Sequence, residues 1–284
     1  MNVLLIGGGG RIADAIIDKL NKGNHRVYLL TGRREKSVSY KHVFEKYCVS
    51  YEDDSVKDIF ESIKPELILF LGAYDPNFSW QRSRQDSVRY AASLMNVLSA
   101  YSMLGRGRFV YFSSHEVYSG SYPERVSEME QVSPVGVKAM AVAQGESICD
   151  NYRRVQELDI LILRFDHIYW IPKKGQEEGD ICFRMCLEGL KSGKISGSER
   201  KVFSLLYLKD AVELAFAVIM QERPKQSLYH ISSMEEISEK QLAKLLVKEM
   251  GAGVALADTS VGEHHRLILD GSGYQAEYGQ QIFT

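Results

Sequence analysis

Apolar and polar positions along this chain alternate in a way that predicts strands joined by helices. Short apolar runs predict buried strands at residues 3–6, 27–31, 48–51, 67–71, 108–113 and 160–165. Apolar residues at helical spacing predict helices from residue 11 onward and at 55–63, 85–104 and 134–154. Strands connected by helices in this order indicate right-handed crossovers and a mostly parallel sheet covered on both faces.

The rhythm changes after residue 165. A polar stretch at 170–180 predicts a loop over a site; strands at 202–208 and 229–232 then alternate with helices at 181–191, 210–220 and 238–250. The tail from 251 to 284 shows weak periodicity. We therefore predict an α/β fold, a Rossmann-type doubly wound parallel sheet with a smaller C-terminal substrate lobe. The sheet domain is expected to take residues 1–165 and about 205–232, and the lobe about 166–204 and 233–284.

A run of four glycines, from Gly7 to Gly10, follows the first predicted strand directly. Arg11 and Ile12 then open the predicted helix. Gly8-x-Gly10-x-x-Ala13 meets the dinucleotide-binding pattern, and so does the looser Gly7-x-x-Gly10-x-x-Ala13. A turn without side chains lets the backbone approach a pyrophosphate, and a helix N-terminus presents unpaired N–H groups to it. The sequence therefore predicts a dinucleotide cofactor bound at Gly7, Gly10, Arg11 and Ile12.

The end of the second predicted strand bears on which cofactor is bound. NAD-binding proteins usually carry a carboxylate there for the ribose 2′-hydroxyl, but this chain has Arg33 and Arg34 and no acid before Glu35. Adjacent guanidinium groups suit a 2′-phosphate, which favours NADP over NAD. The alternative is that Arg33 and Arg34 are solvated loop residues.

Composition excludes several classes of partner. The chain has 284 residues, 45% hydrophobic and 25% charged, with a formal net charge of −2. Such a balance does not suggest nucleic acid or an anionic membrane, and no apolar run approaches the roughly 20 residues that span a bilayer. The start, Met1-Asn2-Val3, has no basic segment typical of a signal peptide. Four cysteines without further metal ligands nearby favour reduced, mostly buried thiols in a cytoplasmic protein, and no metal site is expected.

Six segments in order resemble the NAD-dependent epimerase/dehydratase family, the extended short-chain dehydrogenases/reductases. They are the glycine turn, Phe70-Leu71-Gly72-Ala73, the stretch from Val110 to Tyr118, Ser133-Pro134, Arg164 to Tyr169, and Asp210 with the strand at Tyr229. The resemblance covers nearly the whole length. It implies that Leu71, Gly72 and Ala73 lie beside the cofactor.

The family mechanism uses a Tyr and a Lys four residues later, one helical turn apart. The resemblance implies that this Tyr exchanges a proton with the substrate oxygen while hydride moves to or from the nicotinamide. In this chain the two positions are Val135 and Ala139, so the pair is replaced. Lys138 is one residue off, which rotates it roughly 100° around a helix.

The candidate catalytic residues that remain are Ser114, His115, Glu116 and Tyr118. The resemblance implies that Ser114 hydrogen-bonds the reacting oxygen; alternatively it caps local backbone. Glu116 matches the base of sugar-nucleotide dehydratases, and His115 stands where those enzymes keep an acid. The alternative is two polar residues at a strand exit. Tyr118 is expected to pack, or else to substitute for the missing phenol.

Two further residues are candidates for substrate binding. His167 stands where the family often has Asn, so it either contacts substrate or packs. Arg266 lies in the part of the chain where the family places a substrate-binding basic residue, although solvated tail residues are the simpler interpretation.

Two functions of different class fit these observations. The first is an oxidoreductase of epimerase/dehydratase type acting on a nucleotide sugar or a related hydroxylated small molecule. The second is a catalytically degenerate nucleotide-binding protein serving as sensor, scaffold or subunit, which the replaced Tyr and Lys favour. A Ser114/His115 hydrolase is a distant third. By analogy with the family, the two long helices imply a homodimer.

Overall fold

The computed structural model describes residues 1–7, 10–32, 42–72, 83–171, 180–251, 253–258 and 263–279. Strands and helices alternate through the first 165 residues. The elements are β1 (Asn2–Ile6), α1 (Arg11–Lys22), β2 (Arg26–Thr31), β3 (Glu45–Cys48), α2 (Ser55–Ile63), β4 (Leu67–Phe70), α3 (Ser83–Leu104), β5 (Arg108–Ser114), α4 (Val137–Val155) and β6 (Ile160–Phe165). A single 3₁₀ turn, His115–Val117, follows β5.

The remainder of the chain mixes short strands with helices. The elements are β7 (His167–Tyr169), α5 (Ile181–Ser192), β8 (Lys194–Gly197), β9 (Lys201–Tyr207), α6 (Leu208–Ile219), β10 (Leu228–Ile231), β11 (Glu236–Ser238), α7 (Glu239–Met250), β12 (Ala255–Asp258), β13 (His265–Leu267) and α8 (Ser272–Tyr278). A capping box of Ser238 and Gln241 begins α7.

A seven-stranded sheet forms the centre of the fold, in the order β10-β6-β5-β4-β1-β2-β3. The pairings β3–β2, β2–β1, β1–β4 and β4–β5 are all parallel. Every residue of β4 is buried, as are Val3 to Ile6 of β1, because helices cover a parallel sheet on both faces. The predicted Rossmann-type doubly wound sheet is confirmed.

The chain forms two compact units. The first comprises Met1–Val117, Val132–Arg164 and Ala215–Leu228, and the second comprises Tyr118–Gln131, Phe165–Leu214 and Tyr229–Thr284. Within the second unit, β9 pairs with β11, β13 and β7, and β8 pairs with β12. A small apolar core of Met185, Ile195, Phe203, Leu242 and Ala243 holds α5, β8, β9 and α7 together.

Two predicted elements are displaced along the chain. The third strand lies at Glu45–Cys48 rather than at 48–51, and Tyr51 is a buried residue beyond its end. Helix α4 begins at Val137 rather than at residue 134, because its N-cap, Gly136, has a φ of +98° that is not helical. The tail from 251 onward, whose periodicity is weak, contributes β12, β13 and α8.

Hydroxyl groups of buried tyrosines form hydrogen bonds between the sheet of the first unit and its helices. The hydroxyls of Tyr90 on α3 and Tyr111 on β5 lie 2.5 Å apart, and that of Tyr111 also donates to the carbonyl of Val142 on α4 at 3.1 Å. The hydroxyl of Tyr101 lies within hydrogen-bond distance of the carbonyls of Gly107 and Asp159. Each hydroxyl is thereby satisfied in an apolar setting, where an unsatisfied one would be costly.

Helix α4 packs unusually close to β5 at one point. A Cβ atom on Gly145 would collide with the Tyr111 hydroxyl, so only glycine allows this approach. The packing density of protein interiors leaves no room for the ring to move freely. Gly145 therefore sets the distance between α4 and the sheet.

Candidate functional site

The turn after β1 requires glycine at its first position. Gly7 has a φ of +80°, and a Cβ atom there would lie 2.5 Å from the carbonyl oxygen of Gly72. Its N–H donates to Leu30 at 3.1 Å, and the N–H of Leu71 donates to Ile6 at 3.0 Å. The carboxyl ends of β1 and β4 are thus followed by Gly7 and Gly72, which lie against each other and carry no side chains.

Gly10 precedes helix α1 and leaves the helix N-terminus uncovered. It is the N-cap residue, with no side-chain cap, and its φ of −118° is accessible to any residue. Among the described residues, no atom lies within 4 Å of a Cβ atom built on Gly10, beside the first-turn N–H groups. Such a cradle fits the pyrophosphate of a dinucleotide.

The other residues predicted for the cofactor are only partly described. Arg11 begins α1 with its guanidinium 3.8 Å from the carboxylate of Asp14, and Ile12 follows it half-buried. Gly8, Gly9, Arg33, Arg34 and Ala73 lie outside the described residues.

At the end of β2 the backbone is held by Tyr51. The N–H of Gly32 donates to the Tyr51 hydroxyl at 3.1 Å, and the side chain of Asn96 donates to the Tyr51 carbonyl at 2.8 Å. No described atom lies within 4 Å of a Cβ atom built on Gly32. Strand β2 and the residue after it end in Thr31 and Gly32, so neither position supplies a carboxylate.

Ser114 and Glu116 lie at the carboxyl end of β5, on the same edge of the parallel sheet as Gly7 and Gly72. Ser114 is the last residue of the strand, and its Oγ accepts the N–H of Glu116 at 3.2 Å. The capping role considered for Ser114 is therefore present, while its hydroxyl proton is still available to donate. His115 and Glu116 belong to the 3₁₀ turn rather than to the strand.

An ion pair joins Glu116 to a residue that the sequence did not single out for catalysis. The Nζ atom of Lys138, the second residue of α4, lies 2.8 Å from a carboxylate oxygen of Glu116. The two side chains are 48% and 37% exposed, respectively. Sequence spacing alone places Lys138 one position away from the family lysine, and only the fold shows that it reaches Glu116.

Neither residue at the expected Tyr and Lys positions can transfer a proton. Val135 is 76% exposed and precedes α4, whereas Ala139 is 5% exposed within it. The polar side chains described above at this end of β5 are those of Ser114, His115, Glu116 and Lys138.

A buried ionic network lies directly behind Ser114. The guanidinium of Arg164 on β6 donates to both carboxylate oxygens of Glu146 on α4, at 2.8 and 2.7 Å, and the hydroxyl of Ser113 donates to the same carboxylate. All three side chains are buried. A two-pronged pair of this kind fixes orientation as well as distance, so β5, α4 and β6 are held in one arrangement.

Tyr118 lies in the second unit with its hydroxyl surrounded by protein. It is 3% exposed, and the hydroxyl lies 3.2 Å from the carbonyl of Ser127 and 3.1 Å from Nε2 of His230. Nδ1 of His230 lies 3.2 Å from the carbonyl of Asp270. This setting matches the packing role considered for Tyr118.

His167 and Arg266, the predicted substrate residues, also belong to the second unit. His167 on β7 is half-buried with its ring 5.2 Å from that of Phe203. Arg266 on β13 binds the Glu236 carboxylate at 2.6 Å and donates to the carbonyls of Tyr122 and Pro123 at 3.0 and 2.9 Å. Arg266 thus fastens the segment 118–131 to β13.

Two features are absent from the described ranges. No cluster of three or more His, Cys, Asp or Glu side chains there could hold a metal ion. No helix of the described chain combines the length and apolar character needed to cross a membrane. Cys149 is buried and Cys48 is exposed, and the four cysteines are free thiols.

Comparison with known proteins identifies the family. Residues 3–232 match the NAD dependent epimerase/dehydratase family, and the chain belongs to it. The human dTDP-D-glucose 4,6-dehydratase is 26% identical over 260 residues, which cover 87% of this chain and 73% of that protein.

Solved structures of two enzymes have the same fold. The UDP-glucose 4-epimerase of Thermus thermophilus, determined in complex with NAD, superposes with a TM-score of 0.79 at 20% identity, over 99% of this chain and 94% of that one. The dTDP-glucose 4,6-dehydratase of Streptomyces venezuelae, determined with NAD bound, gives a TM-score of 0.79 at 20% identity, over 100% and 92%.

Asp166, next to His167 in the second unit, is a buried acid with a displaced pKa. Burial raises its pKa to about 7, and hydrogen bonds from the hydroxyls of Ser204 and Ser232 oppose the rise. The Ser204 hydroxyl donates to the carboxyl at 2.5 Å. Since the pKa in the unfolded chain is about 3.9, the folded state holds this proton more tightly.

Asp166 therefore makes folding depend on pH. Between about pH 4 and 7 the native state binds more protons than the unfolded chain, so the contribution of this group to stability falls as pH rises, by at most about 4 kcal/mol. We expect the free energy of unfolding of the wild type to fall more steeply from pH 5 to pH 8 than that of Asp166→Asn, measured by urea denaturation. An Asp58→Asn variant, changed at an exposed carboxylate, should follow the wild type; parallel curves for all three proteins would contradict this.

Proposed function

We propose that this protein binds a nicotinamide dinucleotide at the Gly7–Gly10 turn and acts on a nucleotide sugar or related hydroxylated small molecule, as an oxidoreductase of epimerase/dehydratase type. The observation that carries the proposal is that two features lie on one edge of the sheet. One is the uncovered N-terminus of α1 at Gly10, and the other is the group of Ser114, His115 and Glu116 at the end of β5.

The described residues fit each part of this chemistry. The backbone around Gly7 and Gly10 accommodates a pyrophosphate, and Gly72 borders it. The bound nicotinamide supplies hydride exchange with the substrate. The Ser114 hydroxyl can donate to a carbonyl oxygen, Glu116 can remove a proton beside that carbonyl, and His115 can give a proton to a leaving hydroxyl.

We further propose that NADP is favoured over NAD. The end of β2 has no carboxylate at Thr31 or Gly32 to receive a ribose 2′-hydroxyl, and Arg33 and Arg34 follow it in the sequence. A 2′-phosphate would bring the negative charge that these guanidinium groups can bind.

A second candidate function is that of a nucleotide-binding protein without turnover. The replacement of the family Tyr and Lys by Val135 and Ala139 favours it. Both candidates require the cofactor site, but only the enzyme requires Glu116.

Substitution of Gly10 tests the cofactor site. Gly10→Val should leave the fold intact, because its backbone is extended and no described atom would meet the new Cβ atom within 4 Å, yet abolish saturable binding of NADPH and NADH in fluorescence titrations. Gly253→Val, in the second unit, is the matched control, since no described atom lies within 4 Å of a Cβ atom there either. NADPH should bind more tightly than NADH, and the difference should shrink when Arg33 and Arg34 become Ala. Wild-type protein that binds neither nucleotide would refute the proposal.

Glu116→Gln distinguishes the enzyme from the binding protein. Loss of a general base lowers turnover by about 100-fold or more, so kcat should fall by that amount with nucleotide affinity unchanged. Turnover is measured by NMR detection of keto or epimerised sugar from dTDP-glucose and UDP-glucose. If the wild type is active and Glu116→Gln is equally active, Glu116 is not the catalytic base. If the wild type is inactive, the nucleotide-binding protein without turnover is favoured.

We propose that the protein is a homodimer that pairs through α3 and α4. Along α3, the side chains of Val88, Met95 and Met103 are 63%, 47% and 67% exposed and recur at helical spacing on one face. Met140 on the neighbouring α4 is 49% exposed. A contiguous apolar face of this kind is typical of an interaction surface.

A charge placed in this face should break the dimer. Met95→Glu should elute as a monomer when its mass is measured by light scattering, because a carboxylate would be buried without a partner. Met129→Glu, at a methionine that is 92% exposed in the second unit, is the matched control and should leave the mass unchanged. A wild type that is monomeric at all concentrations would contradict the proposal.

A further inference from the structure

Glu116 is held at two points, one on its backbone and one on its side chain. The Ser114 hydroxyl oxygen accepts its N–H at 3.2 Å, and the Lys138 ammonium lies 2.8 Å from its carboxylate. The first contact lies within the 3₁₀ turn, and the second places a cation against one oxygen of the carboxylate. A catalytic group must be held in this way to meet its substrate atom.

The backbone around the start of α4 sets the position of Lys138. Gly136, with a φ of +98°, turns the chain into the helix, and Val137 and Ala139 on either side of the lysine are buried. The N–H of Ser133 donates to the carbonyl of Val117 at 2.9 Å, which ties the segment before α4 to the 3₁₀ turn. The ammonium is therefore presented to Glu116 by an anchored helix end.

A purely structural role explains this ion pair poorly. Its side chains are 48% and 37% exposed, and exposed pairs contribute little to folding. The anchors just described already hold the turn and the helix together. What the pair adds is a positive charge 2.8 Å from one oxygen of the Glu116 carboxylate at the candidate site.

We propose that Lys138 is a positioning residue, which aims the Glu116 carboxylate at the substrate; this rests on the proposed function. In the step that Glu116 carries out, the C–H bond beside the substrate ketone breaks and an O–H bond forms on the carboxylate. The electron pair of the broken bond stays on the substrate as an enolate. That ketone would form when the carbon bearing the substrate hydroxyl gives up its hydride, for which the oxidised nicotinamide would be the acceptor, and the hydroxyl proton passes to solvent.

The test compares Lys138→Met and Lys138→Arg with the wild type. Lys57→Met, at an exposed lysine of α2, is the control. With a nucleotide sugar that the wild type converts, Lys138→Met should lower kcat by roughly 10- to 100-fold, with KM and the melting temperature nearly unchanged. Lys138→Arg should recover most of the lost turnover, and Lys57→Met should match the wild type. An unchanged kcat in Lys138→Met would overturn the proposal, and so would a loss that Arg does not recover.

A second measurement separates this proposal from the proposed function. Crystal structures of the wild type and of Lys138→Met show directly where the Glu116 carboxylate points. We expect one orientation in the wild type and either several or a different one in the variant. The same orientation in both would overturn the positioning role even if the enzyme is active. If the wild type converts no sugar, the proposed function fails, while the orientation of Glu116 still decides whether Lys138 positions it.

Discussion

The buried ion pair between Arg164 and Glu146 is the interaction on which the arrangement of the first unit depends. It joins β6 to α4, and the hydrogen bond from Ser113 to Glu146 connects it to the end of β5. A charge buried without its partner is far more costly than the pair itself contributes, so the three elements must come together at this point. Ser114 at the end of β5 and Lys138 at the start of α4 receive their positions from this constraint.

The two glycines of the cofactor turn have separate physical roles. Gly7 is required by the fold, because its φ is positive and the Gly72 carbonyl occupies the space of a side chain. Gly10 has an ordinary backbone conformation, and no described atom would meet a Cβ atom there within 4 Å. The proposed cofactor site gives this second glycine its role, because a helix N-terminus without a side chain beside it lets a phosphate approach.

Much of the fold follows from the sequence, whereas the site follows only in part. Apolar runs locate β1, β4 and β6 because strands buried on both faces consist of little else. Helix α4 starts later than its pattern suggests because Gly136 takes a positive φ. Glycine can adopt a positive or a negative φ, so the sequence alone does not predict which one occurs. The ion pair between Lys138 and Glu116 joins residues 22 positions apart, and the hydrogen bond from Arg266 to the Tyr122 carbonyl joins residues 144 positions apart. Local periodicity carries no information about such pairs.

The tyrosine hydroxyls of the first unit add hydrogen bonds to its core, and these bonds require a particular orientation of each ring. Apolar cores accept many exchanges of similar volume, because dispersion contacts do not depend on orientation. Here Tyr90, Tyr101 and Tyr111 each form a hydrogen bond with a defined oxygen. A side chain at Gly145 would collide with the Tyr111 hydroxyl. Attempts to stabilise this protein by repacking should therefore leave these residues in place and start from the aliphatic positions of α1 and α2.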